Sequence, residues 1–158
     1  MRTSLLFSLL LLLFSLLDSA SSQSSELPTS ARPLSRVHAE LTAYGFPVGL
    51  LPAHVRDYSI NATSGDFSVG LHGPCRLTLP PDNYLAAYSE KIRGRIVRGR
   101  IAGLEGIRVR AFFRWWSITG IKSSGENLVF EVGGVSAKYP SKNFDEAPAC
   151  KGGKRASS

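Results

Sequence analysis

Few residues in this 158-residue chain are suited to metal or redox chemistry: it has two cysteines, three histidines and one methionine. Cys75 and Cys150 stand far apart and His38, His54 and His72 are scattered, so no zinc-site spacing is present. A phosphate-binding glycine loop, a dinucleotide fingerprint and a zinc-hydrolase helix are also missing. The nearest approach to a serine-hydrolase elbow, Gly134-Val135-Ser136-Ala137-Lys138, lacks the closing glycine and a following helix. The chain is therefore read without a cofactor, without a metal and without an assigned catalytic residue. Esterase chemistry stays as an alternative, through a convergence in space of histidine with serine and carboxylate that sequence order does not display.

Long apolar runs are scarce too. The one present, at 5–17, follows Arg2 and precedes the small residues at 19–22, the order of a secretory signal peptide. It falls short of the roughly 20 residues a spanning helix needs. A signal peptide over 1–21, a flexible leader over 22–32, a single β-rich domain over 33–150 and a disordered basic tail over 151–158 are expected. On an oxidising secretory route, one Cys75–Cys150 disulfide is favoured over two buried thiols. Such a bridge would contribute roughly 4 kcal/mol in the chain-entropy picture.

Acidic residues are the third shortage. Twelve Asp and Glu against nineteen Lys and Arg leave a formal charge of +7. An exported cation meets acidic polysaccharide or an anionic membrane surface, so no nucleic-acid partner is expected.

What is abundant is β signal. The stretch 92–122, IRGRIVRGRIAGLEGIRVRAFFRWWSITGIK, carries two arms rich in β-branched and aromatic residues. It reads as a long hairpin turning at Gly103-Leu104-Glu105-Gly106. Short strands are expected at 55–60, 66–71 and 75–79, separated by turn residues, with a further hairpin turning at 123–127. Ahead of them, Pro33 and the spacing of Leu34, Val37, Leu41 and Tyr44 predict a helix ending at Gly45, with His38 on its rim. The fold class is mainly β, a small antiparallel β-barrel or two-sheet sandwich with one N-terminal amphipathic helix as a lid.

Alternation along the second arm places Ile107, Val109, Ala111, Phe113 and Trp115 on one face. Arg108, Arg110, Phe112, Arg114 and Trp116 fall on the other, where guanidinium groups beside rings can hold an acidic head group and cover its apolar part. The competing reading is that these arginines merely keep an outer face soluble. Arg93, Arg95, Arg98 and Arg100 read as a solvated strand edge. Phe46, Leu50, Leu51, Phe67, Val69, Ile107, Val109, Phe113 and Phe130 are core candidates that would line a cavity if the fold is open enough. Asn61-Ala62-Thr63 is an N-glycosylation acceptor in a turn.

These motifs together resemble a land-plant family, "domain of unknown function 538". The resemblance rests on Tyr44-Gly45-Phe46-Pro47-Val48-Gly49-Leu50-Leu51-Pro52, the Cys75 strand, Ile92-Arg93-Gly94, Leu104-Glu105-Gly106-Ile107, Trp115 and the ending Pro148-Ala149-Cys150. It covers about 36–150. It implies a secreted plant protein with a compact β fold and a proposed similarity to bactericidal/permeability-increasing lipid-binding proteins. A suggested hydrolase activity on chlorophyll-type esters and roles in stress and trichome development also come with it. The chain departs from the family pattern at Arg114, where an apolar residue is usual. The expectation is a non-enzymatic protein of the apoplast or endoplasmic reticulum that binds a lipid or other amphipathic, anionic ligand. The alternatives are an esterase for a bulky apolar ester and a wall-associated protein held by acidic polysaccharide.

Overall fold

The computed structural model describes residues 35–151. The expected signal peptide and leader, Pro33 and Leu34, and the tail beyond Lys151 lie outside the described residues. The helix α1 spans Arg36–Ala43 and buries Val37, His38 and Leu41. Eight strands follow: β1 Val55–Ile60, β2 Asp66–Leu71, β3 Cys75–Leu79, β4 Tyr84–Val97, β5 Arg100–Ala111, β6 Arg114–Ser124, β7 Asn127–Val132 and β8 Val135–Pro140. The expected mainly antiparallel β fold with one helix is therefore present, as a single eight-stranded sheet.

The 14-residue β4 organises the sheet. Its first half pairs with β3, from Cys75↔Tyr88 to Leu79↔Tyr84, and its second half with β2, from Gly70↔Lys91 to Asp66↔Arg95. β2 and β3 thus behave as one strand interrupted at His72-Gly73-Pro74, where proline has no N–H to donate. From β4 the sheet continues as a meander through β5, β6, β7 and β8, with β1 on the far side of β2.

Flat, β4 and β8 would stand about 19 Å apart, four strand spacings. Instead Tyr84 of β4 and Tyr139 of β8 meet edge to face with ring centroids 6.5 Å apart. The sheet therefore curls tightly on itself, although β1 and β8 remain its two ends and no barrel closes.

Two parts of the expected central hairpin are corrected. The turn lies at Arg98-Gly99, between β4 and β5, and Gly103 to Gly106 sit inside β5. Gly103 and Gly106 hold φ of 57° and 98°, and the β4–β5 register shifts around them, so they bend a strand. The chain then reverses again at Phe112-Phe113, so 107–116 is two strands meeting at a tip. Arg93, Arg95, Arg98 and Arg100 lie on or between central strands, since β4 and β5 have partners on both sides. Arg95 pairs with Asp66 at 3.0 Å. Arg98 donates to the Ala43 carbonyl at 3.5 Å, helping to fasten the helix.

The helix covers one end of the curl. Tyr44 accepts a bond from Gly99 N at 2.8 Å. Val37, Leu41, Leu50 and Leu51 meet Val69, Ile92, Ile96, Ile101, Leu104, Ile107 and Ile121, and the remaining gap is about 60 Å³. Gly49 approaches the C-terminal segment so closely that an added methyl would lie 2.6 Å from the Glu146 carbonyl oxygen. That segment runs along β3, with Lys151 N donating to Arg76 O at 2.7 Å, and the Cys75–Cys150 disulfide fixes it there. An otherwise open strand edge is covered in this way.

Candidate functional site

Three turns gather at the opposite end of the curl: 80–83 between β3 and β4, Phe112-Phe113 between β5 and β6, and Gly133-Gly134 between β7 and β8. Two of them join their strands through two residues that both hold positive φ, the geometry that matches strand twist in a tight hairpin. Gly133 and Gly134 hold 56° and 82°, at no steric cost. Phe112 and Phe113 hold 52° and 64°. For side chains with a Cβ this region costs about 1–2 kcal/mol per residue. The rings receive no compensating burial, being 89 % and 94 % exposed.

Behind the tip the pairs are Ala111↔Arg114, Arg110↔Trp115, Val109↔Trp116 and Arg108↔Ser117. Because paired residues share a face, the expected constellation is divided. Arg108 and Arg110 project outward with Trp115, whose ring centre lies 6.0 Å from the Arg76 guanidinium and 5.8 Å from that of Arg108. Trp116 turns inward with Val109, and Arg114 stacks on its ring at 5.8 Å. Phe112 sits in the turn itself. The second expected face is corrected likewise: Phe113 and Trp115 do not continue the apolar row of Ile107 and Val109, because the reversal at the tip shifts the alternation.

Inside this end lies a cavity of about 260 Å³ lined by Leu79, Tyr84, Val109, Ala111, Phe112, Trp116, Ile118, Phe130, Val132, Val135, Ala137, Tyr139 and Phe144, among others. Its floor is a run of rings, Phe144 to Phe130 at 5.4 Å and Phe130 to Tyr139 at 6.0 Å. Trp116 is held by a bond from Nε1 to the Ala111 carbonyl at 3.1 Å. Its other side is met by Gly133, where a methyl would come within 2.7 Å of the ring. Burial pushes the Tyr139 hydroxyl above its ordinary pKa, with Tyr84 and the Asp82 carboxylate adding to the effect, so it stays a neutral polar group in an apolar wall.

Of the residues expected to line a cavity, Val109 and Phe130 do so here. Leu50, Leu51, Phe67, Val69 and Ile107 border the small gap beneath the helix, and Phe113 is fully outside. Tyr84, Ala137, Tyr139 and Phe144 were missed. The apolar alternation Val135, Ala137, Tyr139 was the available signal, but the meeting of β8 with β4 arises only from the curl.

His38 is not on the rim of its helix: it is wholly buried. Nε2 lies 3.1 Å from the Pro52 carbonyl oxygen, which can only accept, so the proton sits on Nε2. Nδ1 then accepts from the Ser35 hydroxyl at 2.7 Å. Nε2 ties the helix to the loop that follows it and Nδ1 binds the residue just before the helix, and burial lowers the pKa. Tyr88, also buried, donates to the Leu50 carbonyl at 3.2 Å, and burial raises its pKa. These polar groups brace the helix end and stand apart from the cavity. Asn61 is exposed in the β1–β2 turn, where its amide oxygen accepts from the backbone N–H groups of Thr63 and Ser64.

The loop at Gly49, the disulfide-fastened ending and the bent β5 are the parts of the sequence from which a family was expected. The model of the family DUF538, "Protein of unknown function", matches residues 37–145, well over half of the chain. The chain belongs to the DUF538 family. No curated protein and no solved structure is a significant match. In this DUF538 chain the Gly49-Leu50-Leu51-Pro52 motif acquires a physical meaning. Gly49 admits the C-terminal segment, Leu50 and Leu51 fill the helix end, and Pro52 accepts from His38. Arg114 is exposed beside the Trp116 ring and needs no buried counter-charge. Among the described residues no helix is long and apolar enough to cross a membrane.

Proposed function

We propose that this DUF538 protein is a secreted, non-enzymatic binder of a small amphipathic ligand with an apolar body and an anionic head. One observation carries the reading: an apolar cavity of about 260 Å³ opens beside a guanidinium stacked on the tryptophan that forms part of its wall. Such a volume lies just below the usual span of small-molecule sites, about 300–1,000 Å³. It suits a single acyl chain or a ring system better than a whole phospholipid. The apolar body would lie against Phe130, Tyr139 and Phe144, with the head toward Arg114. Tyr139 and Tyr84 supply hydroxyls that orient it. The disulfide and the signal-like order at 1–21 support export. In that reading Asn61 is the glycan acceptor, at the β1–β2 turn and away from the cavity mouth.

Titration with a fluorescent fatty acid tests the binding. The probe should bind saturably, displace with unlabelled fatty acid and alter the emission of Trp116. Ala137→Phe, which fills the cavity from β8, should weaken binding about ten-fold or more while leaving the unfolding midpoint within a few degrees. Equal binding by the filled variant would reject the cavity as the site.

A further inference from the structure

We propose that the β5–β6 turn docks the protein on an anionic lipid bilayer, with Phe112 and Phe113 entering the boundary between head groups and acyl chains. The proposal stands whether or not the cavity holds a ligand. Of the five large apolar side chains exposed among the described residues, four lie at this end: Phe112, Phe113, Trp115 and Val135. Phe112 and Phe113 also occupy backbone positions that Asn-Gly would hold without strain. A turn that is both strained and apolar toward water serves neither stability nor solubility, and that combination marks a contact surface.

The charges around the tip select the partner. Within four residues of the three turns lie Arg76, Arg108, Arg110, Arg114 and Lys138 against two carboxylates, Asp82 and Glu131. Arg114 adjoins Phe113, while Arg110 and Trp115 form the second pair behind the tip. Arg108 lies in the fourth pair, about 10 Å behind Ala111 at roughly 3.4 Å per residue. Interfacial elements bury their apolar side about 5–10 Å deep. With the rings at that boundary, Arg110, Arg114 and Trp115 stand in the head-group layer, where arginine meets phosphate and tryptophan is favoured. A second copy of this chain would oppose arginines to arginines. A hydrated acidic polysaccharide offers no apolar layer for the rings.

The test is cosedimentation of the purified protein with phosphatidylcholine vesicles, with and without phosphatidylglycerol, across a salt series. The protein should partition onto the anionic vesicles, less so as salt rises, and brominated acyl chains should quench Trp115. Phe113→Gly removes a ring that is not part of the cavity wall and supplies the residue that the backbone favours. It should lower partitioning about ten-fold or more and leave fatty-acid binding intact. Arg110→Gln with Arg114→Gln should abolish the preference for anionic over neutral vesicles. Val97→Ser, at the exposed apolar residue of the other end, should change nothing. Unchanged partitioning by Phe113→Gly would overturn the proposal. So would a self-association that the same variant abolishes in protein lacking vesicle affinity, or binding to polygalacturonate without binding to vesicles. Loss of vesicle binding in Ala137→Phe would transfer the effect to the cavity and overturn it equally.

Discussion

Beneath the helix the side chains leave about 60 Å³ unfilled, whereas about 260 Å³ stays open at the turn end. The two spaces are bounded by one sheet and share β4, β5 and β6, so the difference lies in what covers each end. The helix end is closed by α1 and by the loop carrying Leu50 and Leu51. Its buried polar groups are paired: His38 with Ser35 and Pro52, Tyr88 with the Leu50 carbonyl. The turn end has only its hairpins, and their tips split the same way. Gly133-Gly134 obeys the chemistry of a tight turn and lets Trp116 pack against it. Phe112-Phe113 adopts a similar backbone against its own preference and shows both rings to water. A region that meets every local rule is built to hold the fold, and one that breaks several at once is available for contact.

The sharpest way to break that contrast is to truncate one apolar side chain at each end. Leu50→Ala empties space in a packed region and should cost about 2–5 kcal/mol in chemical denaturation. Phe113→Ala removes more atoms, yet should alter stability by no more than about 0.5 kcal/mol, because the ring is in water in both states. A loss at Phe113 comparable with that at Leu50 would show that the tip is part of the core. A smaller effect of opposite sign is expected when the tip is given the residues its backbone prefers. Phe112→Asn combined with Phe113→Gly should raise stability by about 1–3 kcal/mol, read as a higher unfolding midpoint with an unchanged denaturant slope.

The first three strands were legible because each is bounded by turn residues. β1, β2 and β3 begin and end where the alternation and the Asn, Gly and Pro clusters place them, and the turn at Gly125-Glu126 was equally readable. The disulfide could be read from the cysteine number together with the signal-like order at 1–21. The central meander defies its composition: Gly103 and Gly106 are turn residues by type, but here their positive φ bends a strand. Two phenylalanines, conversely, carry no turn signal, so the reversal at Phe112-Phe113 was invisible and the face assignment beyond it was inverted. Of the cavity wall only Val109 and Phe130 stood among the expected lining residues, since the space depends on Tyr84 meeting Tyr139 across a curl that no local pattern encodes.

The gentlest probe of the helix end is pH. His38 is held neutral, with Nε2–H given to Pro52 and Nδ1 accepting from Ser35, and desolvation by burial depresses its pKa below the ordinary value of 6.5. Between the depressed folded value and 6.5 the unfolded chain binds a proton that the folded chain does not. Stability therefore rises with pH across that window. The contribution is complete above pH 6.5 and is lost progressively as the pH falls toward the folded value. His38→Gln keeps a donor near the Pro52 carbonyl but removes the titration. Its denaturation midpoint should vary less between pH 7 and about pH 5 than that of the wild type, the interval in which histidine charges. The same change should leave the turn end untouched, so vesicle partitioning by the folded variant at pH 7 should equal that of the wild type. A variant that keeps the full wild-type slope would place the acid sensitivity elsewhere and remove His38 as the pH-dependent fastening of the helix.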